Sequence, residues 1–172
     1  MEQKVEKLYQ SIKAINSAAP EKLFDVVVDE ASKILDVEIC SLLLFDKDNK
    51  HLRIKSAKGL YQTIIKNTVI NKGDGIVGKV AETGEPLLIE NIQDYPAFEK
   101  KELETKYKTQ SLLTIPIKIK SEIIGVLNVN NKVTGESFNE KDLHVLSIFA
   151  SQISHYLISK PKFSISKTFF RK

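Results

Sequence analysis

The sequence contains one cysteine, Cys40, among 172 residues. A single thiol excludes intrachain disulfides, Cys-based zinc sites and two-cysteine redox chemistry within one chain. Cys40 lies in the apolar run ICSLLLF, which is typical of a buried strand, and not in an exposed loop. A chain without disulfides suits a reducing compartment, so we expect a cytoplasmic protein.

Long hydrophobic runs are also missing. Every apolar run is much shorter than the roughly 20 residues that a membrane-spanning helix needs. The first ten residues, MEQKVEKLYQ, lack the apolar core of a signal peptide, so no export is expected. Hydrophobic residues make up 42% and charged residues 28%, an ordinary balance for a globular protein of one domain.

The net charge of +4 comes from one end of the chain. Five of the 26 basic residues and none of the 22 acidic residues lie in residues 160–172, so the rest of the chain has a net charge of −1. We therefore expect a domain over residues 1–159, no nucleic-acid binding, and a flexible basic tail over residues 160–172. This tail, with four apolar side chains among its cations, is either a frayed terminus or a contact for an anionic membrane surface.

The three histidines, His51, His144 and His155, do not have the spacing of a paired metal site. No haem or metal is expected from them. The run GDGIVG, residues 73–78, matches G-x-G-x-x-G, but antiparallel hairpins surround it, whereas a dinucleotide site needs a parallel βαβ unit. We expect this run to form a turn followed by a helix that walls a pocket.

Hydrophobic periodicity predicts helices over residues 2–16, 20–35 and 139–159, and a central hairpin over residues 113–119 and 123–130. The second strand of that hairpin is apolar on both faces and must be covered on both sides. The predicted fold is α+β, with an antiparallel sheet, the long helices on one face and short elements of residues 60–110 on the other. A sheet face covered by loops favours a small-molecule cavity.

Two helices carry apolar residues at heptad-like spacing, which predicts a homodimer through helical contacts. The first set lies between Val5 and Ile15. The second set consists of Leu143, Leu146, Ala150, Ile153 and Leu157.

The order of motifs over residues 20–158 resembles a GAF domain. Its parts are ICSLLLFD, then GIVGKVAETGEPLLIENIQDYPAF, then SLLTIPIKIKSEIIGVLNV, then NNKVTGESFNEKD. The family signature is matched by Asn131, Lys132, Phe138 and Asp142, whereas Leu143 replaces its final Glu. The resemblance, closest in its middle segment to sensor domains of bacterial transcriptional activators and signalling kinases, implies about six antiparallel strands, a ligand pocket on the loop side and dimerisation through terminal helices. The missing Glu argues against a cyclic-nucleotide ligand.

Strand parity and the resemblance together suggest which residues bind a ligand. These candidates are Ser41, Leu43, Phe45, Ala57, Lys58, Ile76, Val77, Phe98 and Thr109. Lys132 and Asp142 are expected to pair, either as a latch on the pocket or as a structural clip. Attachment of a bilin to Cys40 is not expected, and the GAF domains that reduce methionine sulfoxide need several cysteines.

The sequence thus predicts a non-catalytic GAF sensory or regulatory domain that binds an unidentified small molecule and acts with a downstream regulator or output domain. The alternative is a GAF-fold dimerisation module without ligand, whose own side chains fill the pocket.

Overall fold

The computed structural model describes residues 2–95 and 111–160. Its helices are α1 (Glu2–Ser17), α2 (Leu23–Leu35), α3 (Gln62–Asn67), α4 (Gly75–Thr83) and α5 (Glu140–Ser159). Its strands are β1 (Val37–Phe45), β2 (His51–Lys58), β3 (Val69–Asn71), β4 (Leu87–Ile89), β5 (Leu112–Ile119) and β6 (Glu122–Lys132).

The six strands form one antiparallel sheet in the order β3-β2-β1-β6-β5-β4. The predicted central hairpin is confirmed as β5 and β6, joined by a two-residue turn at Lys120 and Ser121. Pro116 has no backbone N–H and cannot donate a hydrogen bond to a neighbouring strand. It lies beyond the three residues of β5 that pair with β4, and one residue before the register shift at Ile117. The α+β architecture predicted from the sequence is confirmed.

One face of the sheet packs against α2 and α5, and this layer contains the larger part of the core. The facing side chains of the central strands, such as Leu42, Leu127 and Val129, are at most 1% exposed. Residues of α2 at helical spacing, including Val27, Ala31 and Ile34, pack onto them. Helix α1 is attached more loosely, because only Ser11 and Ile15 of its 16 residues are buried.

Four of the five heptad-like residues of α5, from which the sequence predicts a dimer contact, are buried in the protein's own core, whereas Leu143 is half-buried. Leu146, Ile153 and Leu157 are at most 1% exposed, and Ala150 is 5% exposed. The same spacing serves a helix that packs on a sheet, because any helix buries one stripe. These four buried residues therefore do not form a surface for a partner, which corrects the contact predicted from the sequence, while the homodimer itself stays a prediction.

The opposite face, which we call the loop face, is covered among the described residues by α4 and short segments. Leu43, Phe45 and Val126 form a small cluster there with residues of α4. Two glycines permit close approaches, Gly78 beside this cluster and Gly125 on the helix side of the sheet, next to Leu44. A Cβ on Gly125 would lie 2.2 Å from the carbonyl oxygen of Leu43, and one on Gly78 would lie 2.4 Å from that of Asn71. The last glycine of GDGIVG is thus required for packing of α4 against β3.

Within the described parts of the chain, no helix combines the length and the apolar character needed to cross a membrane.

Candidate ligand pocket

A pocket of about 310 Å³ lies on the loop face, between the start of α4, strand β3 and the central strands. This volume is at the lower end of the range for small-molecule sites. The residues that line it are Val69, Ile70, Asn71, Asp74, Gly75, Ile76, Val77, Leu112 and Asn128. Its wall is therefore the first turn of α4, which agrees with the role predicted for the GDGIVG run.

A row of polar side chains crosses the otherwise apolar loop face beside this pocket. Asn128 of β6 is paired with Ser41 of β1 on one side and with Thr114 of β5 on the other. The Thr114 hydroxyl donates a hydrogen bond of 2.6 Å to the Asn128 Oδ1 atom. Ser41 and Thr114 are 5% and 0% exposed. Polar groups so deeply placed in a sheet interior need partners, which gives this face the capacity to recognise a polar ligand.

The predicted ligand residues occupy different environments. Ile76 and Val77 line the pocket. Ser41, Leu43 and Phe45 share the loop face as their parity predicts, but the last two pack in the apolar cluster with Val126. Their placement agrees with the simpler interpretation of them as core residues.

Of the remaining candidates, Ala57 is half-buried and pairs with Ser41. Lys58 pairs with Cys40, whose side chain belongs to the helix-side core, and the Lys58 side chain is exposed. The structure therefore places Lys58 away from the pocket. Phe98 and Thr109 lie outside the described residues.

Sequence reasoning missed Asn128 and Leu112, which line the pocket from the two central strands. A signal was available: Thr114 and Asn128 are polar residues in a hairpin that is otherwise apolar in its middle. Their pairing could not be derived without the register of β5 and β6. The lining residues of β3 were missed because that strand is only three residues long.

The signature residues form a second polar centre at the connection between β6 and α5. Lys132 Nζ lies 2.6 Å from Asp142 Oδ2, and Lys4 Nζ of α1 lies 2.6 Å from Asp142 Oδ1. The backbone N–H of Asn139 also donates to Asp142 Oδ2 at 3.1 Å, and the Asn139 side chain accepts in return from the start of α5, which makes a capping box.

Two further signature residues complete this centre. Lys132 Nζ lies 5.3 Å from the ring centroid of Phe138, within cation–π range. Asn131 has a left-handed backbone with φ of 57°, which Asn tolerates better than most residues. The expected Lys132–Asp142 pair is thus present, and it joins a strand, a helix and the N-terminal helix. Neither residue lines the pocket on the loop face.

Burial opposes ionisation of Asp142, but the hydrogen bonds from Lys132 and Lys4 outweigh it, so the pKa of Asp142 is lowered from its ordinary value of 3.8. Asp142 is therefore a buried carboxylate at neutral pH, held by two ammonium groups.

The thiol of Cys40 is fully buried beneath α2, and this burial raises its pKa to about 12. Such a thiol is a poor nucleophile because the thiolate is the reactive form. Elsewhere in the described residues, no three His, Cys, Asp or Glu side chains come together in a way that could hold a metal ion.

A larger groove of about 960 Å³ lies on the other side of the molecule, between the N-terminal halves of α1 and α5. Its apolar residues include Val5, Leu8, Leu143, Val145 and Ile148. Val5 is 59% exposed and Ile148 is 37% exposed. Leu143, the residue in place of the signature Glu, lies in this groove and not in the loop-face pocket.

Comparison with known proteins agrees with this fold. The profile of the GAF domain family matches residues 19–157. The chain therefore belongs to the GAF domain family, a family of sensory and regulatory domains.

Among curated proteins, the chain is 45% identical over 82 residues to the dual 3',5'-cyclic-AMP and -GMP phosphodiesterase 11 of Drosophila melanogaster. This alignment covers 45% of this chain and 5% of that protein. It is 31% identical over 140 residues to a probable 3',5'-cyclic phosphodiesterase of Caenorhabditis elegans, and this alignment covers 72% of this chain and 18% of that protein. The chain thus spans less than a fifth of the length of these relatives.

Among solved structures, the GAF domain of an Acinetobacter phosphoenolpyruvate-protein phosphotransferase superimposes with a TM-score of 0.76. The two are 24% identical, and the match covers 91% of this chain and 93% of that chain. At this identity the likeness concerns the fold.

Proposed function

We propose that this chain is a non-catalytic sensory domain that binds a small molecule in the loop-face pocket and passes the binding event to an output domain. The observation that carries the proposal is the row of polar residues Ser41, Asn128 and Thr114 at this pocket, of which Ser41 and Thr114 are buried and Asn128 is half-buried and lines the pocket. An apolar cavity with a few convergent polar groups is the usual form of a small-molecule site. The greater length of the relatives supports a role as one part of a larger regulator.

Native mass spectrometry of protein purified from cells tests this proposal. We expect a retained mass of a small molecule, which unfolding of the protein releases. The matched variant is Asn128→Leu, which removes a hydrogen-bonding side chain from the pocket lining and should retain less of the small molecule. A protein that carries no small molecule and is stabilised by none in a thermal-shift screen would contradict the sensory proposal.

The ligand-free module remains the second candidate, and one observation favours it. Leu43, Phe45 and Val126 already fill part of the loop face with α4. If this packing leaves no functional cavity, replacing Ile76 with Phe should be tolerated without any loss of regulatory output.

Cyclic nucleotides deserve a direct test because the curated relatives are cyclic-nucleotide phosphodiesterases. We expect cAMP and cGMP to stabilise the protein weakly or not at all, because the described residues that line the pocket include the carboxylate of Asp74 and no Lys or Arg that could pair with a phosphate. Strong thermal stabilisation by either nucleotide would contradict this expectation and would identify the ligand class directly.

We further propose a homodimer, with the contact formed by the groove between α1 and α5 and not by the buried residues of α5. Val5 and Ile148 are exposed apolar residues at this groove. Replacing both with Lys should give a folded monomer in light scattering, while the exposed substitution Lys66→Met should leave the dimer intact. A wild-type protein that is monomeric at tens of micromolar, the range expected for a weak dimer, would contradict the proposal.

The cytoplasm remains our proposed location. Residues 161–172 of the basic tail lie outside the described residues, and their contact with an anionic membrane stays a prediction. Co-sedimentation with anionic vesicles, with and without residues 160–172, tests it, since binding should need the tail and should weaken at high salt.

A further inference from the structure

The N-terminal half of α1, residues 2–10, is attached to the domain by few contacts. None of its side chains is buried, and six of the nine are exposed. The C-terminal half is anchored in the core, since Ser11 and Ile15 are buried and the Tyr156 hydroxyl donates to the carbonyl of Ala18 just after the helix. Few buried contacts give a segment a low free energy of local opening. The first half, which we call the arm, is therefore the part of α1 that opens most easily.

Lys4 makes the contact that holds the arm in place. Its Nζ atom lies 2.6 Å from Oδ1 of Asp142, a carboxylate that is completely buried, whereas the Lys4 side chain is 38% exposed. The other carboxylate oxygen, Oδ2, accepts from Lys132 and from the backbone N–H of Asn139. Among the residues that the structure describes, Lys4 is the one donor to Oδ1. Detachment of the arm would leave this buried oxygen without a hydrogen bond, which opposes detachment.

Ser111 connects the wall of the loop-face pocket to the connection between β6 and α5. Its side chain is 1% exposed, and the next residue, Leu112, lines the pocket. The Ser111 hydroxyl donates to the carbonyl of Ile89 at 2.8 Å and accepts from the backbone N–H of Phe138 at 2.8 Å. Ile89 packs in one apolar cluster with Leu112. Contacts thus lead without a break from the pocket lining to Phe138.

Phe138 continues this path to the arm. Its ring lies 5.3 Å from the ammonium group of Lys132. Lys132 in turn shares the carboxylate of Asp142 with Lys4. Phe138, Lys132 and Asp142 are all buried, and interior groups packed this closely transmit displacements to one another.

We propose that the arm is detachable, that Asp142 holds it through Lys4, and that the loop-face pocket controls its release through Ser111. Release removes Val5 and Leu8 from the groove between α1 and α5, so it dismantles the surface proposed for the homodimer. The arm thereby converts occupancy of the pocket into a change of interface. This inference rests on the proposed sensory function and names the route by which its signal leaves the domain.

Hydrogen exchange of the backbone amides, measured without ligand at about 1 μM, where a weak dimer has dissociated, tests the inference. Residues 6–10 are the reporters, because the first four N–H groups of a helix have no partner within it. A detached helix this short loses its hydrogen bonds. In the wild type, the reporters should exchange roughly a hundredfold faster than the amides of β6, because the arm opens while the rest of the domain stays folded.

Lys4→Met should speed the exchange of the reporters about tenfold, because the hydrogen bond to a buried carboxylate is lost. Lys7→Met is the matched control on the same arm. The ammonium group of Lys7 pairs with Asp36, whose side chain is 57% exposed, so solvent screens the pair. This control should speed the exchange by about twofold at most.

Ser111→Ala tests the connection to the pocket. It removes the hydroxyl between Ile89 and Phe138 and should speed the exchange of the reporters about threefold or more. A purely structural role of Ser111 would speed exchange in β6 and leave the reporters unchanged, because local opening of the arm does not require the contacts of Ser111 to break. Ser137→Ala removes an exposed hydroxyl from the same connection and should leave the reporters unchanged.

Reporters that exchange only as fast as β6 in the wild type would overturn the inference, because the arm would then open only with the whole domain. Reporters unaffected by Lys4→Met or by Ser111→Ala would also overturn it. None of these measurements needs a ligand, so their failure is distinct from failure of the sensory function. A small molecule retained in native mass spectrometry would then show that the domain senses its ligand and signals by another route.

Discussion

The ammonium group of Lys132 lies 2.6 Å from a carboxylate oxygen of Asp142, and both side chains are more than nine-tenths buried. An exposed pair would contribute little, because solvent screens it. Here the two charges are held in the interior, and the attraction between them offsets the cost of removing each from water. The pair lies away from the loop-face pocket, which favours a structural clip over a latch on the ligand.

Replacing Lys132 with Met should lower the free energy of unfolding by about 3 kcal/mol, because Asp142 would keep its charge with one partner fewer. Urea unfolding monitored by circular dichroism measures this. Lys66→Met, at an exposed position on α3, is the control and should change stability by less than about 0.5 kcal/mol. Equal effects of the two substitutions would show that the buried pair is not important for stability.

The stabilisation from Asp142 should depend on pH. Its pKa is lowered in the folded protein, so its contribution is fully present above the pKa of the unfolded chain, near 3.9, and is lost as the pH falls through the lower folded value. The stability difference between the wild type and Asp142→Asn should therefore be constant from pH 7 to about 5 and shrink below about 4. A difference that stays constant down to pH 2.5 would mean that Asp142 does not titrate in this way.

Leu146→Ala should lower the free energy of unfolding by about 2–5 kcal/mol, because it opens a cavity in the core between α5 and the sheet. Ile148→Ala, two residues further along the same helix, should lower it by less than about 1 kcal/mol because Ile148 is partly exposed. Denaturant titration distinguishes the two. If Leu146→Ala instead gave a stable protein of altered oligomeric state, Leu146 would belong to an interface.

The thiol of Cys40 should react very slowly with a disulfide reagent at neutral pH, because it is buried and its pKa is raised to about 12. Reaction should become fast after unfolding in urea. The control is a Cys40→Ala protein with Ser151→Cys on the exposed side of α5, which should react at once without denaturant. Rapid labelling of native Cys40 would show that the core opens frequently.

The sequence by itself determined the three long helices, the central hairpin and the layering, because these depend on local periodicity. The predicted central hairpin is observed with each boundary within two residues, and α5, predicted over residues 139–159, is observed over Glu140–Ser159. The strand apolar on both faces already required cover on both sides. The pairing of Lys132 with Asp142 was also predictable, since only a short connection separates them along the chain.

Tertiary structure decided the rest, because it depends on distances between elements that are remote in sequence. The heptad-like spacing of α5 is the same for a helix that packs on a sheet and for one that packs on a partner, and only burial of Leu146 and Ile153 distinguishes them. The ammonium group of Lys4 binds the carboxylate of Asp142, although the two residues are 138 positions apart in the sequence. The row from Ser41 through Asn128 to Thr114 exists only because three strands meet in one register, and a shift of a single residue would turn one of these side chains to the opposite face.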